Sequence, residues 1–562
     1  MPSVPDIEAY TFYQQEWESY EELVESFEHE VPEQFNLATY LCDRWAEDKS
    51  RVALFGDGTD SEPETYTYWQ LRNITNRLAN YFRQQGIERG DRIGINIPQK
   101  PETAMAHLAA WKLGAISIPL SSLFGPDALG YRLEDGGAKA CLVDSENVDT
   151  LREVKDDIDD LDTILTVGDV DHEVNEADFW DVQETVSREF ETVATDADET
   201  ASIIYTSGTT GDPKGTVHAH RLVLGLLPDY IASYCDFDIK DSDVVWSPAA
   251  WAWVAGLFST MATTLYHGRP LVAYNSTGQF DPLETFDLIE TYGISVSFIP
   301  PTALRMMMQE TERAAEFDLT SVRSIWSGGE SLGDDITEWA EDIFDGAVVQ
   351  EVYGQTEAVN IVNEISELYP KREGSLGKPS LGRIDVDLFD PSDRETRVGV
   401  DEVGEIAVEY EGDPECFKEY WNKPEKTAEV FHDGWLFTND LAKRDEDGYY
   451  YFVGRKDDVI ISSGYRIGPK EVEDTLAEHP AVVNVGVIGV PDDVRGEIPK
   501  AFVELADDHK PSSELAEELK QHAKDQLAKY EYPREIEFVD ELPLTVTGKV
   551  RRTKLQDWDE SN

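Results

Sequence analysis

Apolar residues recur along the chain at two alternating spacings, which predict a regular succession of helices and strands. Residues 68–85 carry Leu71, Ile74 and Leu78 at helical spacing. Residues 91–97 form a short apolar run that ends at a proline, which is typical of a strand. Because helical and strand-like segments continue to alternate, the pattern predicts βαβ units around a largely parallel sheet.

The rhythm changes further along the chain. The acid-rich residues 145–200 show weak periodicity and are expected to be peripheral and exposed, whereas residues 222–362 form a second α/β stretch. Beyond residue 378, short apolar runs separated by turn residues predict a small antiparallel sheet or barrel. Residues 456–562 then form a new α+β unit that begins with a helix over 469–478.

The predicted fold class is therefore α/β. A large N-terminal domain, residues 1–455, contains two α/β subdomains and a small antiparallel β-barrel. A small, mobile α+β C-terminal domain follows as residues 456–562. No low-complexity linker separates the two, so the boundary near Asp457 indicates a hinge and not a long tether.

Charge is the most unusual feature of the composition. Aspartate and glutamate total 114 against 48 lysines and arginines, which gives a net charge of −66 over 562 residues. Such a chain repels nucleic acid and anionic membranes, so neither is expected as a partner. It also repels itself unless salt screens the charges, and we therefore hypothesise a cytoplasmic protein of an extreme halophile.

The cysteines and the apolar runs also favour a cytoplasmic protein. Four cysteines lie far apart and form no CxxC pair, which disfavours disulfides and zinc sites and fits a reducing cytosol. The acidic start of the sequence lacks a signal pattern. Since no apolar run approaches the roughly 18 residues of a membrane span, no span is expected.

The candidate chemistry begins at residues 205–215, which read YTSGTTGDPKG after an apolar strand end. Glycines allow close approach of the backbone, so that amides can point at phosphate oxygens. A Walker loop requires glycine before its lysine, whereas here Gly215 follows Lys214, so a P-loop ATPase or kinase is disfavoured. Hydroxyl groups and one cation add further phosphate ligands: Thr206, Ser207, Thr209, Thr210 and Lys214.

This loop resembles the signature loop of the adenylate-forming superfamily, which includes acyl-CoA synthetases, firefly luciferases and peptide-synthetase adenylation domains. The resemblance runs from about residue 31 to the C terminus, and YGQTE and PDDVRGEIPKAFV are most similar to medium-chain acyl-CoA synthetases. The other matching motifs, in the family's order, are GGESL at 328–332, YGQTE at 353–357, Asp440 in GWLFTND, GRKDD at 454–458, SSGYRIGP at 462–469 and TGK at 547–549.

The resemblance implies roles in adenylation. Lys549 would be the catalytic lysine that bridges the attacking carboxylate and the α-phosphate. Glu357 would bind Mg²⁺, which prefers hard oxygen ligands, with Thr206 assisting. The ATP-binding set would comprise Thr206, Ser207, Gly208, Thr209, Thr210, Gly211, Lys214, Gly329, Glu330, Ser331, Glu351, Val352, Tyr353, Gly354, Gln355 and Thr356.

The C-terminal motifs would serve the ribose and CoA. Asp440 would accept hydrogen bonds from the ribose hydroxyls, with Arg455 as its cationic companion. Asp457 matches the family's hinge, about which the small domain would turn between adenylation and thioester formation. The CoA-contacting set would comprise Ser463, Gly464, Tyr465, Arg466, Arg495 and Tyr532, with Gly464 facing the pantetheine tunnel.

The acyl pocket is the part that the resemblance describes least. Gly354 stands where acetate-selective relatives carry tryptophan, which favours an acid longer than acetate, since each buried CH₂ could contribute about 0.8 kcal/mol. Trp251, Trp253 and Trp326 are candidates for the pocket wall, and a place in the core is the alternative, which is favoured for Trp253. Residues 247–251 read SPAAW where relatives carry an SDTGW-like segment, so the pocket shape does not follow from the family.

The predicted function is an ATP-dependent acyl-CoA synthetase for a medium-chain, short or branched fatty acid, using ATP, Mg²⁺ and CoA. An acetate or propionate ligase remains an alternative, as does an adenylation module, which is expected to carry an attached carrier domain. A non-catalytic nucleotide or acyl-CoA sensor on the same fold is the alternative from a different class. The sequence leaves open whether the protein forms a homo-oligomer.

The charge predicts a dependence on salt. At about 1 M salt the Debye length falls to about 3 Å, so repulsion among the acids is screened. We expect activity and near-UV circular dichroism to be native in molar KCl and to be lost as KCl is diluted. Full activity and native packing at about 0.1 M KCl, where the Debye length is about 10 Å, would contradict the halophile hypothesis.

Overall fold

The structure is a computed structural model and describes residues 6–58, 61–206, 212–274, 280–330, 332–458, 460–462, 465–492, 495–506, 509–527, 532–544 and 550–561. The chain forms two compact units. The first comprises Met1–Ile384 and Glu409–Gly434, and the second comprises Asp385–Val408 and Trp435–Asn562. The predicted domain boundary between residues 455 and 456 stays a prediction.

The strands are, in chain order, β1 (Val52–Gly58), β2 (Ser61–Thr67), β3 (Arg92–Asn96), β4 (Ile116–Pro119), β5 (Ala138–Asp144), β6 (Thr163–Val167), β7 (Glu176–Asp178), β8 (Thr200–Thr206), β9 (Lys214–Ala219), β10 (Val245–Trp246), β11 (Leu271–Tyr274), β12 (Val296–Phe298), β13 (Ser324–Gly328), β14 (Val348–Gln355), β15 (Val359–Asn363), β16 (Lys378–Pro379), β17 (Val386–Phe389), β18 (Gly404–Glu409), β19 (Phe431–His432), β20 (Trp435–Arg444), β21 (Tyr450–Arg455), β22 (Ile460–Ser462), β23 (Tyr465–Ile467), β24 (Val482–Asp492), β25 (Gly496–Leu505) and β26 (Glu535–Val539).

The α-helices are α1 (Tyr20–Ser26), α2 (Leu37–Leu41), α3 (Tyr68–Gln84), α4 (Pro101–Leu113), α5 (Pro126–Gly136), α6 (Val148–Val154), α7 (Phe179–Thr185), α8 (Leu222–Asp229), α9 (Thr263–Tyr266), α10 (Pro282–Tyr292), α11 (Pro301–Gln309), α12 (Thr311–Ala314), α13 (Asp334–Ile343), α14 (Pro424–Val430), α15 (Pro469–Ala477), α16 (Ser513–Gln526) and α17 (Arg552–Ser561). Short 3₁₀ segments span Glu8–Gln14, Asp43–Trp45 and Lys155–Asp157, and π-helical segments span Tyr230–Tyr234 and Ala255–Ala262.

Two sheets form the first unit. One has the strand order β7-β6-β5-β3-β4-β8-β9, in which all neighbours are parallel except the antiparallel hairpin β8–β9. The other has the order β16-β15-β14-β13-β12-β10-β11-β1-β2, with parallel pairs in the middle and antiparallel pairs at both edges. The predicted α/β class with two α/β subdomains is confirmed.

The second unit contains an antiparallel sheet and an α+β segment. Its first sheet places β18 between β17 and β20, and β21 pairs with β20. Its other sheet has the order β23-β22-β25-β24, with β26 parallel to β25. Helices α15 and α16 supply Val472, Leu476 and Leu519 to the apolar core of this sheet. Within the described ranges, no helix combines the length and apolar character that crossing a membrane requires.

Local sequence explains where the predicted elements begin and end. Helix α3 starts at a capping box, in which Thr67 and Gln70 satisfy each other's backbone amides. Leu71 and Leu78 of the predicted stripe are buried, as the helical spacing requires. Helix α4 ends at Gly114, whose positive φ of 73° closes the helix without the strain that a side chain would add.

One expectation about exposure was wrong. Residues 145–200 include β6, all five residues of which are buried between β5 and β7. Phe179 at the start of α7 is also fully buried. A strand that is enclosed by neighbouring strands needs only about five residues and shows no alternation of apolar and polar residues. Such a short apolar run is therefore hard to recognise in a stretch with many acids.

Arg383 is the centre of a buried ionic cluster in the first unit. Its Nη1 lies 2.9 Å from both carboxylate oxygens of Asp413, and its Nη2 lies 3.1 Å from Glu415 Oε2. The guanidinium also donates to the backbone carbonyls of Ala358 and Asn360. Burial raises the pKa of Glu415 well above its usual range, and Arg383 opposes that rise. The cluster therefore fixes the backbone at the start of β15.

Replacing Arg383 should strongly destabilise the first unit. Arg383→Met leaves the buried Asp413 and Glu415 without their cation and removes a donor from two carbonyl groups, so we expect the free energy of unfolding to fall by about 3–5 kcal/mol. Urea unfolding in high KCl measures this change. Arg72→Met is the matched control, because Arg72 contacts the exposed Glu47 at 3.3 Å and should cost less than about 1 kcal/mol. Equal losses in the two variants would contradict the role of the cluster.

Candidate active site

The ends of the predicted phosphate loop are held by the β8–β9 hairpin. Thr206 and Lys214 are paired across the hairpin, and the Thr206 hydroxyl lies 3.4 Å from the Lys214 carbonyl. Beside the loop, the Tyr131 hydroxyl donates to the Pro213 carbonyl at 3.1 Å. The β8–β9 hairpin thus fixes the positions of Thr206 and Lys214 on either side of the loop. Five predicted ligands lie outside the described residues: Ser207, Gly208, Thr209, Thr210 and Gly211.

The YGQTE motif forms the end of β14 and the turn into β15. Gln355 pairs with Val359, so Thr356, Glu357 and Ala358 make up the turn. The motif residues 353–357 are all partly exposed, whereas the residues that follow them in β15 are buried. The hairpin therefore presents a short polar segment from an otherwise buried sheet.

Gly354 is required by the backbone of this hairpin. A Cβ atom at this position would lie 1.5 Å from the carbonyl oxygen of Val359 and 3.2 Å from the Cα of Asn360. The pairing also shifts register between Tyr353 and Gly354, which brings the two strands close together. Glycine at this position therefore has a local cause that is independent of the size of any acyl group.

The predicted adenine-binding residues lie at the carboxyl ends of the parallel strands β13 and β14. Gly328 packs so tightly that a Cβ would lie 2.3 Å from the Val352 carbonyl oxygen, and Gly329 has a φ of 91°. Glu330 accepts a hydrogen bond from the Thr302 hydroxyl at 2.8 Å, and Glu351 accepts one from the Leu332 amide at 3.3 Å. This edge is where open α/β sheets bind ligands. Ser331 lies outside the described residues.

Glu357 and Lys214 meet at a residue that the sequence did not single out. The Tyr420 hydroxyl donates to Glu357 Oε1 at 2.6 Å, and the Lys214 ammonium lies 4.2 Å from the centroid of the Tyr420 ring. The Phe417 amide also donates to the Glu357 carbonyl at 2.9 Å. Tyr420 carries no charge and lies 63 positions after Glu357, so no spacing in the sequence connects them.

The oxygen ligands of this region suit a hard divalent cation. Glu357 offers a carboxylate and Thr206 a hydroxyl, the ligand types that Mg²⁺ prefers. In the described part of the chain, no three His, Cys, Asp or Glu residues gather into a metal-binding group. A Mg²⁺ ion bound through one protein carboxylate would take further ligands from water and from substrate phosphates.

Asp440 and Arg455 are brought together in the second unit as the sequence predicted. They are register partners across β20 and β21, and Arg455 Nε lies 3.7 Å from Asp440 Oδ1. Asp440 is buried, and its amide donates to the Thr438 hydroxyl at 3.1 Å. Asp457, the predicted hinge residue, is exposed in the turn that follows β21.

The predicted CoA residues are only partly described. Tyr465 and Arg466 lie in β23, and the Arg495 amide donates to Asp492 Oδ1 at 2.8 Å. Ser463, Gly464 and the catalytic candidate Lys549 lie outside the described residues. Their predicted roles stay predictions.

Two further cations flank Tyr532. The Arg534 guanidinium lies 3.9 Å from the centroid of the Tyr532 ring, and the Lys524 ammonium lies 5.4 Å from it. Neither contact follows from the sequence, because the two cations belong to different elements, with Lys524 in α16 and Arg534 just before β26. The tertiary structure thus gives Tyr532 a basic environment on an otherwise acidic chain.

Of the tryptophans expected near the acyl pocket, only Trp253 differs from its prediction. Trp251 and Trp326 are fully buried, and Trp326 stacks on Tyr234 at 5.2 Å between ring centroids. Trp253, favoured as a core residue, is only partly buried and contacts the Phe124 ring edge-on at 6.4 Å. Trp253 lies in the turn before the segment Ala255–Ala262.

Known proteins match almost the whole chain. Residues 42–421 match the family model of AMP-binding enzymes, and residues 471–549 match that of the AMP-binding enzyme C-terminal domain. The chain is 34% identical over 530 residues to the uncharacterized acyl-CoA ligase YtcI of Bacillus subtilis, and the match spans 94% of this chain and 97% of the relative. It is also 35% identical over 530 residues to the acetyl-coenzyme A synthetase of the same organism. That match spans 93% of this chain and 90% of the relative.

A solved structure agrees with these relatives. The anthranilate CoA ligase AuaEII in complex with anthranoyl-AMP has a TM-score of 0.85 at 27% identity, covering 94% of this chain and 98% of that one. The family models, the relatives and the fold therefore agree, and the chain belongs to the family of AMP-binding enzymes.

Proposed function

We propose that the protein is an ATP-dependent acyl-CoA synthetase. A carboxylate oxygen of the acid attacks the α-phosphorus of ATP, which forms an acyl-adenylate and releases pyrophosphate. The sulfur of CoA then attacks the acyl carbon, which forms the thioester and releases AMP. The observation that carries this proposal is the contact of both Lys214 and Glu357 with Tyr420, because it brings the cation proposed for the phosphates near the carboxylate proposed for Mg²⁺.

Residues of the first unit would bind and orient ATP. Lys214 supplies a point charge for the phosphate oxygens, and the glycine-containing loop 207–211 would supply backbone amides. Glu357 and Thr206 would hold Mg²⁺, which when bound neutralises charge on the phosphates. The residues at the ends of β13 and β14 would hold the adenine, with the Tyr353 ring stacked on the base.

Residues of the second unit would complete both half-reactions. The Asp440 carboxylate can accept hydrogen bonds from two ribose hydroxyls, with Arg455 beside it. Lys549 would stabilise the negative charge that develops between the carboxylate and the α-phosphate. For the second step, Arg495 and the cations beside Tyr532 are suited to the phosphates of CoA. Asp457 would be the hinge between the two arrangements.

We propose a fatty acid longer than acetate as the substrate, bound against Trp251. No side chain projects from position 354, and the Trp251 indole is buried, with no hydrogen-bond partner for its Nε1 among the described residues. The hairpin also requires Gly354, whatever the length of the acid. The named relatives act on acids as different as acetate and anthranilate, and they favour no single acid.

We also propose that the enzyme works in a cytoplasm of high salt. The support is the net charge of −66 spread over the chain. Buried pairs such as Lys112 with Asp43 keep their attraction under those conditions, because salt screens exposed charges far more than buried ones.

The proposed function is tested by AMP release with ATP, Mg²⁺ and CoA over a panel of short, medium-chain, branched and aromatic acids in high KCl. We expect release to depend on the acid and to be fastest for a medium-chain, short or branched fatty acid. Fastest release with acetate or propionate would instead support the alternative ligase. Absence of acid-dependent pyrophosphate exchange for every acid would contradict catalysis and support a sensor.

Lys549→Ala should separate the two half-reactions. Because the lysine acts on charge that develops during adenylation, we expect pyrophosphate exchange to fall by at least about 100-fold. Thioester formation from supplied acyl-adenylate should stay close to the wild-type rate. Normal pyrophosphate exchange in this variant would show that Lys549 is not the catalytic lysine.

Gly464→Leu is the matched control with the opposite defect. If Gly464 faces the pantetheine tunnel, leucine should block CoA and leave pyrophosphate exchange intact. Unimpaired acyl-CoA formation would mean that Gly464 is an ordinary turn glycine.

A further inference from the structure

One short segment joins the two ligand-bearing hairpins of the first unit. On one side, the Trp421 amide donates to the Gly215 carbonyl at 2.7 Å, and the Lys418 amide donates to the Val217 carbonyl at 2.9 Å. On the other side, the Phe417 amide donates to the Glu357 carbonyl at 2.9 Å. Since β8–β9 and β14–β15 belong to different sheets, this segment is a direct connection between them.

Tyr420 lies in the middle of this segment and is itself held in place. Its amide donates to the Thr427 hydroxyl at 2.9 Å, and its ring lies 4.8 Å from the Phe417 ring between centroids. The residue is only 3% exposed. A ring fixed in this way can fix what it touches, namely the Glu357 carboxylate through its hydroxyl and the Lys214 ammonium through its face.

We propose that Tyr420 is a positioning residue for the ATP and Mg²⁺ site. By donating to one carboxylate oxygen of Glu357, it selects a single orientation of that side chain and leaves the other oxygen for the cation. Through its ring it holds Lys214 next to the same carboxylate. The inference rests on the proposed function, because it assigns Glu357 to Mg²⁺ and Lys214 to the phosphates.

Two physical effects of the hydroxyl oppose each other. The hydrogen bond draws electron density from the carboxylate, so its loss could tighten the binding of Mg²⁺. The hydrogen bond also restricts the flexible Glu357 side chain. Its loss therefore lowers the fraction of molecules whose carboxylate is oriented to bind Mg²⁺, and the apparent affinity for Mg²⁺ falls in proportion to that fraction. Hydrogen bonds to charged groups are strong enough to change a population by tenfold or more. We infer that orientation outweighs the electronic effect.

Tyr420→Phe tests this inference, because it removes the hydroxyl and keeps the ring. The matched control is Tyr68→Phe, which removes a buried hydroxyl that donates to the Arg269 carbonyl at 3.1 Å, away from both hairpins. Two readouts are compared in high KCl as Mg²⁺ is titrated. One is the rise in Tm caused by ATP without the acid, and the other is the rate of pyrophosphate exchange.

For Tyr420→Phe we expect the Mg²⁺ concentration at half effect to rise about tenfold in both readouts. Thioester formation from supplied acyl-adenylate should be unchanged, and Tyr68→Phe should match the wild type in its Mg²⁺ dependence. An unchanged or lower Mg²⁺ requirement for Tyr420→Phe, with native near-UV circular dichroism, would overturn the inference. If the wild type shows no pyrophosphate exchange, the proposed function fails, but the Tm readout still decides the role of Tyr420.

Tyr420→Leu removes the ring as well and serves as a second variant. Loss of the contact with Lys214 should raise the apparent Kd for ATP at saturating Mg²⁺ by a further two- to fivefold. If Tyr420→Phe and Tyr420→Leu bind ATP equally well, the ring does not position Lys214, and that part of the inference is wrong.

Discussion

The buried guanidinium of Arg383 is the interaction on which the order of the β14–β15 hairpin depends. It bridges the acids at 413 and 415 to the carbonyls of Ala358 and Asn360, directly after Glu357. Glu415 Oε2 also accepts from the Asn360 amide at 3.1 Å. A strand held by side chains as well as by its neighbours cannot shift register easily, so the polar turn beside it keeps one conformation. Residues 413–421 thus support the site twice, first through Arg383 and then through Tyr420.

The hairpin also changes how Gly354 is interpreted. From the sequence, a glycine in place of tryptophan indicated space for a longer acid. In the structure, the backbone of Val359 occupies the position that a Cβ would take. A tryptophan there would need a different hairpin. Glycine at position 354 is therefore explained by the backbone geometry, without reference to the size of the pocket. The burial of Trp251, the other residue predicted for the acyl pocket, is likewise revealed only by the fold.

Charged residues have different effects at the surface and in the interior of this acidic protein. Exposed acids interact mostly with solvent and salt, and their exposed ion pairs contribute little. The cations that matter are few and placed individually: Lys214 on Tyr420, Arg455 beside Asp440, and Arg534 on Tyr532. Each is next to an aromatic ring or a carboxylate, which fixes its position. A strongly negative chain can therefore still hold individual cations at defined positions.

The sequence by itself determined the α/β class, most element positions and the ligand motifs, because periodicity and glycine-rich loops are local properties. It predicted α3 and β3 within about two residues, and it placed Asp440 with Arg455 through the family's motif order. It missed the burial of β6, whose five residues are enclosed only by strands distant in sequence. Only the tertiary structure reveals the contacts of Tyr420 and Arg383 and the reason for glycine at position 354. Their effects depend on contacts across tens of residues, and distance in sequence carries no information about such contacts.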